Sequence, residues 1–581
     1  MKKLLVYFRK YIIETILAPL FKFMEATLEL LVPLVIASII DVGIPSADGA
    51  FILRRGALLA GFAAVGLGLA VAAQYFSAKA AIGVCTDIRA TLFDKIQSLS
   101  YGRLDSVGVS TLVTRMTSDV NTLQTGVNLT LRLLLRSPFV VFGAMIVAFT
   151  IDARCALIFA AVILVLLAIV FGILLSAIPR HRGVQQALDG VTGAARENLN
   201  GVRVLRAFRR EQQQIESFES RNRALEKLQL AVGRISELLN PATLIAVNAA
   251  VIALLWSGAV RVDAGTLTQG QVVALYNLLS QILVELVKMA NLVITIAKAA
   301  ACGTRIASVL TLENGEAPGI ETPAPDAPHG SIEFKNVSFS YENAGEASLQ
   351  NISFSVRGGQ TVGVIGGTGS GKTTLVNLLA GFYQASEGSI LFDGVELSRF
   401  DPVELRRRIA IVPQRAVLLA GSIRSNLEMG REGAGEEEML AALETAQAVD
   451  FVREREGGLD APVLRSSSNF SGGQKQRLCI ARALMKPAEV LILDDSTSAL
   501  DYATDAKLRS ALAARRDAPT TFIVSQRAAS IRNADLIIVL DDGRIVGLGK
   551  HGDLLRSCTI YKEIYYTQFR AEGGEGVVTS A

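Results

Sequence analysis

One stretch of the chain has the residues and the spacing of a phosphate-binding loop. It follows a short Val/Ile-rich run at 361–365 and matches the pattern GxxxxGK[ST], in which backbone N–H groups surround an anion. In this pattern Lys372 reaches the β and γ phosphates of a nucleotide, and Thr373 is placed to ligate Mg²⁺. We expect a helix after the loop, with its positive end toward the phosphates. The loop residues are Gly366, Gly367, Thr368, Gly369, Ser370, Gly371, Lys372, Thr373 and Thr374.

A second candidate lies further along the chain, where the apolar run 490–494 ends in a carboxylate. Asp494 is the residue that would hold Mg²⁺, directly or through water. An apolar run ending in Asp is common by itself, but after a phosphate-binding loop it indicates the second part of a nucleoside triphosphate site. Short Val/Ile/Leu-rich runs alternate with helical segments around both motifs, which predicts an α/β domain. The two motifs predict ATP and Mg²⁺ as cofactors.

The chain as a whole has the composition of a membrane protein. Half of its 581 residues are hydrophobic and 19% are charged, whereas about 25% is usual in soluble proteins. The apolar surplus is concentrated before residue 300. A net charge of +4 is too small at this length to indicate a nucleic-acid partner, and the five cysteines form no CxxC pair. We therefore expect a membrane half in the lipid bilayer and a soluble half, without a zinc site or a disulfide framework.

Six runs meet or approach the roughly 20 mostly apolar residues that a spanning helix needs. The first run contains Lys22, Glu25 and Glu29, and the third contains Arg132 and Arg136. Six spans put both ends of this half on the same side of the membrane. The runs are 16–40, 56–78, 131–151, 155–179, 241–260 and 264–284.

The connections between these runs alternate in length, with long polar ones at 80–120 and 180–235. By the positive-inside rule the long connections lie in the cytoplasm. Arg54 and Arg55 in the first short loop weaken this rule, but the ATP-binding half must also be cytoplasmic, so the two arguments agree. The second long connection carries Arg180, Arg182, Arg196, Arg203, Arg206, Arg209, Arg210, Arg221, Arg223, Lys227 and Arg234.

Ionisable residues inside spans are costly and are candidates for function. Glu25 and Glu29 are spaced to share one face of a helix, and Glu285 and Lys288 are spaced to pair in the last span. Two interpretations stay open for them: an intramembrane pair or snorkelling side chain, and a substrate cavity.

Changes in composition divide the chain into four parts. Residues 1–305 are the predicted transmembrane domain, with two cytoplasmic helical loops. It begins with an interfacial helix, because Arg9 and Lys10 interrupt what would otherwise resemble a signal peptide. Residues 306–330, rich in Pro and Gly, are the predicted linker. Residues 331–570 are the predicted nucleotide-binding domain, and 571–581 a disordered tail.

The segment 470–477, FSGGQKQR, resembles the signature sequence of ABC ATPases. Further matches are Tyr341 at an adenine-stacking position, Gln414 in the segment IVPQ, and Asp501 in the segment SALD. The segments 111–120 and 201–211 resemble the two intracellular loops of exporter-type ABC membrane domains. From about residue 10 to 568 the chain therefore resembles an ABC half-transporter of the exporter type. The resemblance implies an α-helical transmembrane domain of six spans followed by an α/β P-loop nucleotide-binding domain.

The resemblance also implies how the site is completed. In this family two nucleotide-binding domains pair head to tail, and each ATP lies between one domain's P-loop and the other's signature. Tyr341 and Asp501 would then belong to the nucleotide contacts, and Gln414 to the Mg²⁺ and hydrolysis site. The chain has one P-loop and one signature, so it needs a second half-transporter. The signature residues that would serve the partner's ATP are Ser471, Gly472, Gly473 and Gln474.

Two residues depart from the family pattern at the site that holds Lys372. Asp495 stands where the family has the Glu that positions the attacking water, and the side chain is shorter by one bond of about 1.5 Å. A misplacement of about 1 Å can cost roughly 10²-fold in rate. Gln526 stands where the family has a switch His, and its amide cannot carry a positive charge. The signature itself is intact.

This pattern resembles the degenerate-site subunit of a heterodimeric ABC exporter. We expect an ATP-driven translocase of the bacterial cytoplasmic membrane that moves an amphipathic or lipophilic small molecule outward, as in multidrug export. Its own P-loop site would hydrolyse ATP slowly, and hydrolysis would occur mainly at the partner's site. Three alternatives stay open: an exporter-shaped importer of a metal chelate, an ATP-gated channel or regulator, and a homodimer.

Overall fold

The computed structural model describes residues 2–314, 329–342, 344–515 and 518–569. The predicted tail 571–581 and most of the predicted linker lie outside these residues. The described chain forms two compact units. The first comprises the residues up to Gln97 together with Ser110–Leu312, and the second comprises Ser98–Val109 together with the residues from Glu313 onward.

The first unit is helical, as its long apolar runs predict. A 3₁₀-helical segment, Lys2–Tyr11, precedes its α-helices at the place where the sequence predicts an interfacial helix, and π-helical turns occur at Ile39–Gly43 and Arg115–Asp119. The helices of the chain up to residue 312, including the short α3 of the second unit, are α1 Ile12–Ser38, α2 Gly49–Gln97, α3 Tyr101–Val107, α4 Val109–Thr114, α5 Val120–Leu133, α6 Arg136–Ile151, α7 Ala153–Asn200, α8 Val202–Ala207, α9 Glu211–Glu237, α10 Leu239–Asp263 and α11 Gln269–Leu310.

Five helical stretches of the described chain are long and apolar enough to cross a membrane. The sixth predicted span, 264–284, falls largely in α11, which is not among the five, so the count of six stays a prediction. The five stretches are Leu4–Gly43, Gly49–Gln97, Val109–Ile151, Ala153–Asn200 and Glu211–Asp263.

The last helix of the first unit extends beyond its predicted end. We predicted that the linker begins at residue 306, but α11 continues to Leu310. The reason is packing, because Ile306 and Ala307 are buried in a cluster with Val84 and Ile88 of α2. The apolar residues at the start of the predicted linker range therefore belong to the helix, and the Pro- and Gly-rich residues follow it.

A charged cluster joins α1, α6 and α11 inside the first unit. Arg136 is 8% exposed, and its two terminal nitrogens donate to the carboxylates of Glu29 and Glu285 at 2.6 Å each. The Ser137 hydroxyl donates to Glu285 at 2.8 Å, and Lys288 pairs with Glu285 at 2.9 Å. We call these five residues the Arg136 cluster. The predicted pairing of Glu285 with Lys288 is confirmed, whereas the sequence did not indicate Arg136 as the shared partner.

The second unit is an α/β domain built on two larger sheets. In the six-stranded sheet the order is β12-β11-β3-β10-β9-β6, and every neighbouring pair except β11 with β12 is parallel. An antiparallel sheet has the order β2-β1-β4-β5, and β7 pairs with β8. The strands are β1 Ile332–Phe339, β2 Leu349–Val356, β3 Thr361–Gly366, β4 Glu387–Phe392, β5 Val395–Glu396, β6 Ile409–Val412, β7 Gly421–Ser422, β8 Pro462–Val463, β9 Val490–Asp494, β10 Thr520–Val524, β11 Leu536–Asp541 and β12 Arg544–Gly549.

Helices cover the six-stranded sheet, and β9 and β10 are buried along their whole length, as is typical of parallel strands. In an open parallel sheet ligands bind at the carboxyl ends of the strands, so this edge is where a site is expected. The helices are α12 Lys372–Leu379, α13 Pro402–Arg408, α14 Ile423–Glu428, α15 Glu436–Thr445, α16 Val449–Arg453, α17 Gly472–Leu484, α18 Tyr502–Ala513, α19 Ala528–Ile531, α20 His551–Ser557 and α21 Thr559–Phe569.

We expect Arg136→Leu to destabilise the first unit, because the change leaves the buried Glu285 with Lys288 as its remaining ionic partner. Breaking a buried ion pair by removing one partner costs about 3–5 kcal/mol. Thermal unfolding of the purified protein in detergent should therefore show a clearly lower Tm. The control is Arg223→Leu, because Arg223 forms an exposed pair with Glu219 at 3.1 Å within α9. Equal Tm values for the two variants would contradict this account of the cluster.

Candidate nucleotide-binding site

The glycine-rich loop connects β3 to α12 at the carboxyl edge of the sheet, where the sequence predicts it. Two glycines are required by space and backbone conformation. A Cβ on Gly366 would lie 2.1 Å from the carbonyl oxygen of Leu540 on the neighbouring strand. Gly371 has a φ of +94°, and a Cβ there would lie 2.7 Å from Cδ2 of Leu349. Glycine alone fits these positions without strain. The loop backbone can therefore lie close to its neighbouring strands and curve tightly around the space that a phosphate would occupy.

Lys372 directs its ammonium group into the centre of this loop. Nζ donates to the carbonyl oxygens of Gly366 at 3.0 Å and Gly367 at 2.5 Å, and to the Ser370 hydroxyl at 3.3 Å. Burial lowers the pKa of Lys372, while the carboxylates of Asp495 and Asp494 oppose that effect. A cation enclosed by a glycine-rich loop is suited to bind phosphate oxygens.

Thr373 and Asp494 lie together beside Lys372. The Thr373 hydroxyl donates to Asp494 Oδ1 at a long 3.5 Å. Burial raises the pKa of Asp494 to about 6; the Thr373 hydrogen bond and Lys372 act in the opposite direction, and the Asp495 carboxylate acts in the same one. A hydroxyl and a carboxylate are the oxygen donors that Mg²⁺ prefers, so these two side chains fit a magnesium ion.

Asp495 adopts a left-handed backbone conformation, with a φ of +45°. Its N–H donates to the carbonyl oxygen of Val524 at 3.0 Å, which ties it to the end of β10. Burial raises the pKa of Asp495, and a hydrogen bond from the Gln414 side chain acts against that rise. Asp tolerates a left-handed conformation better than most residues.

A cavity of about 280 Å³ brings most of the predicted site residues together. Lys372 and Thr373 line it from the loop, Asp494 and Asp495 from the end of β9, and Gln526 from the segment after β10. Residues that the sequence indicates from separate segments thus share one site. The lining residues are Ser348, Thr368, Gly369, Gly371, Lys372, Thr373, Thr374, Gln414, Asp494, Asp495, Val524, Ser525 and Gln526.

Tyr341 and the signature residues lie outside this cavity, and the loop residues Gly366, Gly367 and Ser370 are not part of its lining. The Tyr341 hydroxyl is 3.2 Å from Thr374 Oγ1, and its ring packs edge-on against Phe339 and Tyr383. Ser471 caps α17: its hydroxyl accepts from the N–H of Gln474 at 3.3 Å, and the Gln474 side chain accepts from the Ser471 N–H at 3.0 Å.

Gly472, Gly473 and Asp501 are the other predicted residues outside the cavity, and they lie near Ser471 and Gln474 or at the start of α18. Gly472 and Gly473 form the first turn of α17, and a Cβ on Gly473 would lie 3.2 Å from the carbonyl oxygen of Ala499. Asp501 caps α18 by accepting from the Thr504 N–H at 2.8 Å. Ser471 and Asp501 therefore form the N-terminal caps of α17 and α18 on the surface of the domain. Neither residue lines the cavity of the same chain.

Sequence reasoning missed two residues near the site. Ser348 lines the cavity from the segment before β2, and no motif indicates it. Arg527 donates to the carbonyl oxygens of Ser498 at 3.0 Å and Leu500 at 3.1 Å, so it connects the segment after β10 to the segment after β9. The only sequence signal for Arg527 is its position directly after Gln526.

The short helix α3 belongs to the second unit, although the residues on both sides of it belong to the first. The Tyr101 ring stacks on Phe382 with ring centroids 4.2 Å apart, and the Tyr383 hydroxyl donates to Asp105. Burial raises the pKa of Tyr383, which keeps its hydroxyl protonated and able to donate. Because the Tyr383 ring also packs against Tyr341, these contacts lead from α3 toward the helix that follows the glycine loop.

Fold and site together define a P-loop ATPase domain joined to a helical membrane domain. Comparisons with known proteins agree with this class. The model of the ABC transporter transmembrane region matches residues 15–286, and the model of the ABC transporter domain matches residues 349–498.

Relatives match along most of their length. The uncharacterized ABC transporter ATP-binding protein YfiB of Bacillus subtilis (strain 168) is 32% identical over 575 residues, covering 99% of this chain and 100% of the relative. An ATP-dependent lipid A-core flippase of Syntrophus aciditrophicus (strain SB) is 32% identical over 500 residues, covering 84% of this chain and 81% of the relative. A solved structure of a bacterial Atm1-family ABC exporter with ATP bound has a TM-score of 0.80 at 24% identity, covering 98% of this chain and 99% of that one.

The chain therefore belongs to the ABC transporter family. It is a half-transporter in which a helical membrane domain is fused to an α/β ATP-binding domain, and it has the fold of an exporter-type ABC protein.

The raised pKa of Asp494 predicts a pH dependence of stability in the nucleotide-free protein. The folded state binds this proton more tightly than the unfolded state, so the free energy of unfolding should fall as the pH rises from about 4 to about 6. Asp494→Asn removes the buried charge, and it should raise the free energy of unfolding at pH 7.5 by up to about 3 kcal/mol. Unfolding curves of both proteins at pH 4.5 and 7.5 test this, and parallel pH profiles would contradict it.

Proposed function

We propose that the chain is one subunit of a heterodimeric ABC exporter, and that its own P-loop site retains ATP but hydrolyses it slowly. The observation that supports this most directly is that Asp495 and Gln526 line the same cavity as Lys372. Both departures from the family pattern would therefore affect the same bound ATP. The partner would supply a competent P-loop, Glu and His, and this chain would supply its signature to that site.

The P-loop side of the site has the residues that bind a nucleotide in the family pattern. Lys372 is available for the β and γ phosphates, and the first turn of α12 directs its backbone N–H groups toward them. Thr373 and Asp494 would hold Mg²⁺, with Gln414 beside them. When bound, Mg²⁺ neutralises developing phosphate charge. The chain therefore has every P-loop-side residue that the family pattern uses to bind ATP and Mg²⁺, and the partner's signature would complete the site.

The hydrolytic half is weakened in two ways. The Asp495 N–H is bonded to Val524, so the backbone cannot advance to replace the missing methylene of a Glu side chain. Gln526 offers an amide that donates a hydrogen bond but carries no charge. Electrostatic stabilisation of the transition state is usually the largest contribution to catalysis, so loss of a cationic donor should slow the reaction substantially.

The signature residues of this chain do not line its own nucleotide cavity, and we infer that they act at the partner's site. Ser471 and Gln474 bond to each other's backbone and leave the N-terminal end of α17 well ordered at the domain surface. An ordered helix N-terminus is a binding site for anions. We infer that Ser471, Gly472, Gly473 and Gln474 contact the γ-phosphate of the ATP that the partner's P-loop holds.

The membrane domain offers a place for an amphipathic compound. A cavity of about 480 Å³ has apolar walls from α1 and α2, which include Val32 and Phe62. Its polar end is formed by Glu25, Glu29 and Arg136. Apolar walls with a few charged groups are suited to a molecule with a polar head and a lipophilic body. The relative that is named a lipid A-core flippase supports a substrate of this class.

The docked α3 is a suitable element for coupling ATP binding to the membrane domain. It is held by ring stacking on Phe382, by the Tyr383–Asp105 hydrogen bond, and by the ion pair of Arg103 with Glu342 at 3.2 Å. On one side of α3 the chain connects to the long helix α2 of the first unit, and on the other side it continues through the short helix α4 into the rest of that unit. A movement of the ATPase domain would therefore be transmitted to those helices.

The assignment of the two sites predicts opposite effects of two amide substitutions. In the reconstituted pair, changing the partner's catalytic Glu to Gln should abolish most ATP turnover, about 10²-fold or more. Asp495→Asn should change turnover by less than about threefold, because this carboxylate is not the one that limits the rate. The measurement is steady-state ATPase activity in vesicles of lipid. If Asp495→Asn abolishes turnover and the partner change is harmless, the sites are assigned in reverse. Rapid turnover by this chain alone would support a homodimer instead.

Tyr383→Phe tests the coupling contact, since it removes only the hydroxyl that donates to Asp105. A hydrogen bond to a charged group contributes about 1.5–3 kcal/mol, which corresponds to a factor of ten or more, so substrate-stimulated ATPase activity should fall by at least about tenfold. Equilibrium binding of ATP should remain unchanged, because the P-loop is not altered. The control is Tyr566→Phe, on the exposed face of α21. Loss of ATP affinity in Tyr383→Phe would show that the contact supports the site itself rather than coupling.

A further inference from the structure

A glutamine near the end of the last described helix contacts the segment that carries Gln526. Gln568, in the last turn of α21, donates from Nε2 to the carbonyl oxygen of Gln526 at 2.7 Å. Its Oε1 accepts from the N–H of Ala528 at 2.8 Å. One side-chain amide thus bonds to the backbone on both sides of Arg527. We call residues 525–528 the switch segment.

The helix that carries Gln568 is fixed to the domain independently of these two bonds. Tyr561 of α21 is fully buried, and its hydroxyl is 2.8 Å from Nδ1 of His551. The Tyr565 ring also packs against the His551 ring of α20, with centroids 5.0 Å apart. Gln568 itself is exposed. Its two bonds are therefore not forced by burial of the side chain, and they act from a fixed support.

The switch segment is held on its other side by Arg527. The guanidinium donates to the carbonyl oxygens of Ser498 and Leu500 and lies 4.9 Å from the ring centroid of Tyr502. Ser498 in turn donates from its hydroxyl to the carbonyl oxygen of Asp495 at 2.8 Å. The position of Gln526 is thus determined by α21 on one side and by the segment after β9 on the other.

We propose that Gln568 is a positioning residue for the nucleotide site. It holds the backbone of the switch segment so that the Gln526 side chain points into the cavity beside Lys372, and it thereby slows the release of ATP from this chain's P-loop. The inference deepens the proposed function of an ATP-retaining site and rests on it. Glutamine suits the task because its neutral amide presents a donating NH₂ group and an accepting carbonyl oxygen at a fixed separation.

The test uses the purified heterodimer in lipid nanodiscs with Gln568→Met, which keeps the length of the side chain and removes both bonds. The control is Glu563→Met, on the exposed part of the same helix. Hydrogen exchange of the Ala528 amide should become roughly tenfold faster in Gln568→Met, because its acceptor is lost. Release of labelled ATP, chased with unlabelled ATP, should become about fivefold faster. The Glu563→Met protein should match the wild type in both.

Two further measurements separate positioning from general support of the fold. Exchange of the α21 amides around Tyr561 should stay at the wild-type rate, which shows that the helix has not unravelled. Gln526→Ala should also speed release, and in the double variant Gln568→Met should add nothing further if Gln568 acts through Gln526. Additive effects, or faster exchange of Ala528 without faster release, would overturn the proposal.

Gln568→Glu supplies a variant that perturbs the helix less. It keeps an acceptor for the Ala528 N–H but loses the donor to Gln526, so Ala528 exchange should change less than in Gln568→Met while ATP release still accelerates. Wild-type release in this variant would contradict the role of the Gln526 bond. These readouts concern the switch segment and the retention of ATP, and they do not depend on which of the two sites hydrolyses faster. A reversed result in the Asp495→Asn experiment would therefore refute the site assignment without affecting this test.

Discussion

The parallel pairing of β3, β10 and β9 is the constraint on which the nucleotide site depends. Val524 pairs with Val364 on one side and with Asp494 on the other, so the three strands end at nearly the same level. The ladder continues past the strand ends, because the Ser525 N–H donates to Val364 and the Asp495 N–H donates to Val524. The residues that would act on ATP are thus part of the sheet's own hydrogen bonding, and their side-chain lengths decide what they can reach.

Much of this site could be predicted from the sequence because its signals are local. The glycine loop is defined by spacing, and Asp494 by the apolar strand that it ends. The meeting of Asp495 and Gln526 in one cavity follows once the strands are known to be parallel. Gln568 and Arg527 were not predictable in this way, since their partners are backbone atoms that only tertiary packing brings within reach.

In the membrane domain, too, features with local sequence signals were predictable and contacts that depend on tertiary packing were not. Apolar runs indicated the long helices, and i,i+3 spacing indicated the contact of Glu285 with Lys288. The role of Arg136 depends on how α1, α6 and α11 pack against each other. The pattern of apolar residues along the sequence does not show that packing. Packing also determines where α11 ends, because burial of Ile306 accompanies its extension to Leu310, inside the predicted linker 306–330. The long polar connection 80–120 was indicated by the sequence, but its spacing did not show that Ser98–Val109 within it belongs to the second unit.

The membership of α3 in the second unit has a consequence for biosynthesis. Asp105 and its partner Tyr383 are 278 residues apart in the chain. At about 5–20 residues per second, the ribosome makes the partner surface roughly 15–60 s after α3 has emerged. During that interval the aromatic ring of Tyr101 has no surface to stack on, and the second unit cannot be completed until its last strands are made. The ATPase domain is therefore completed late in synthesis. Its α3 segment has by then been made for some time, together with the membrane helices.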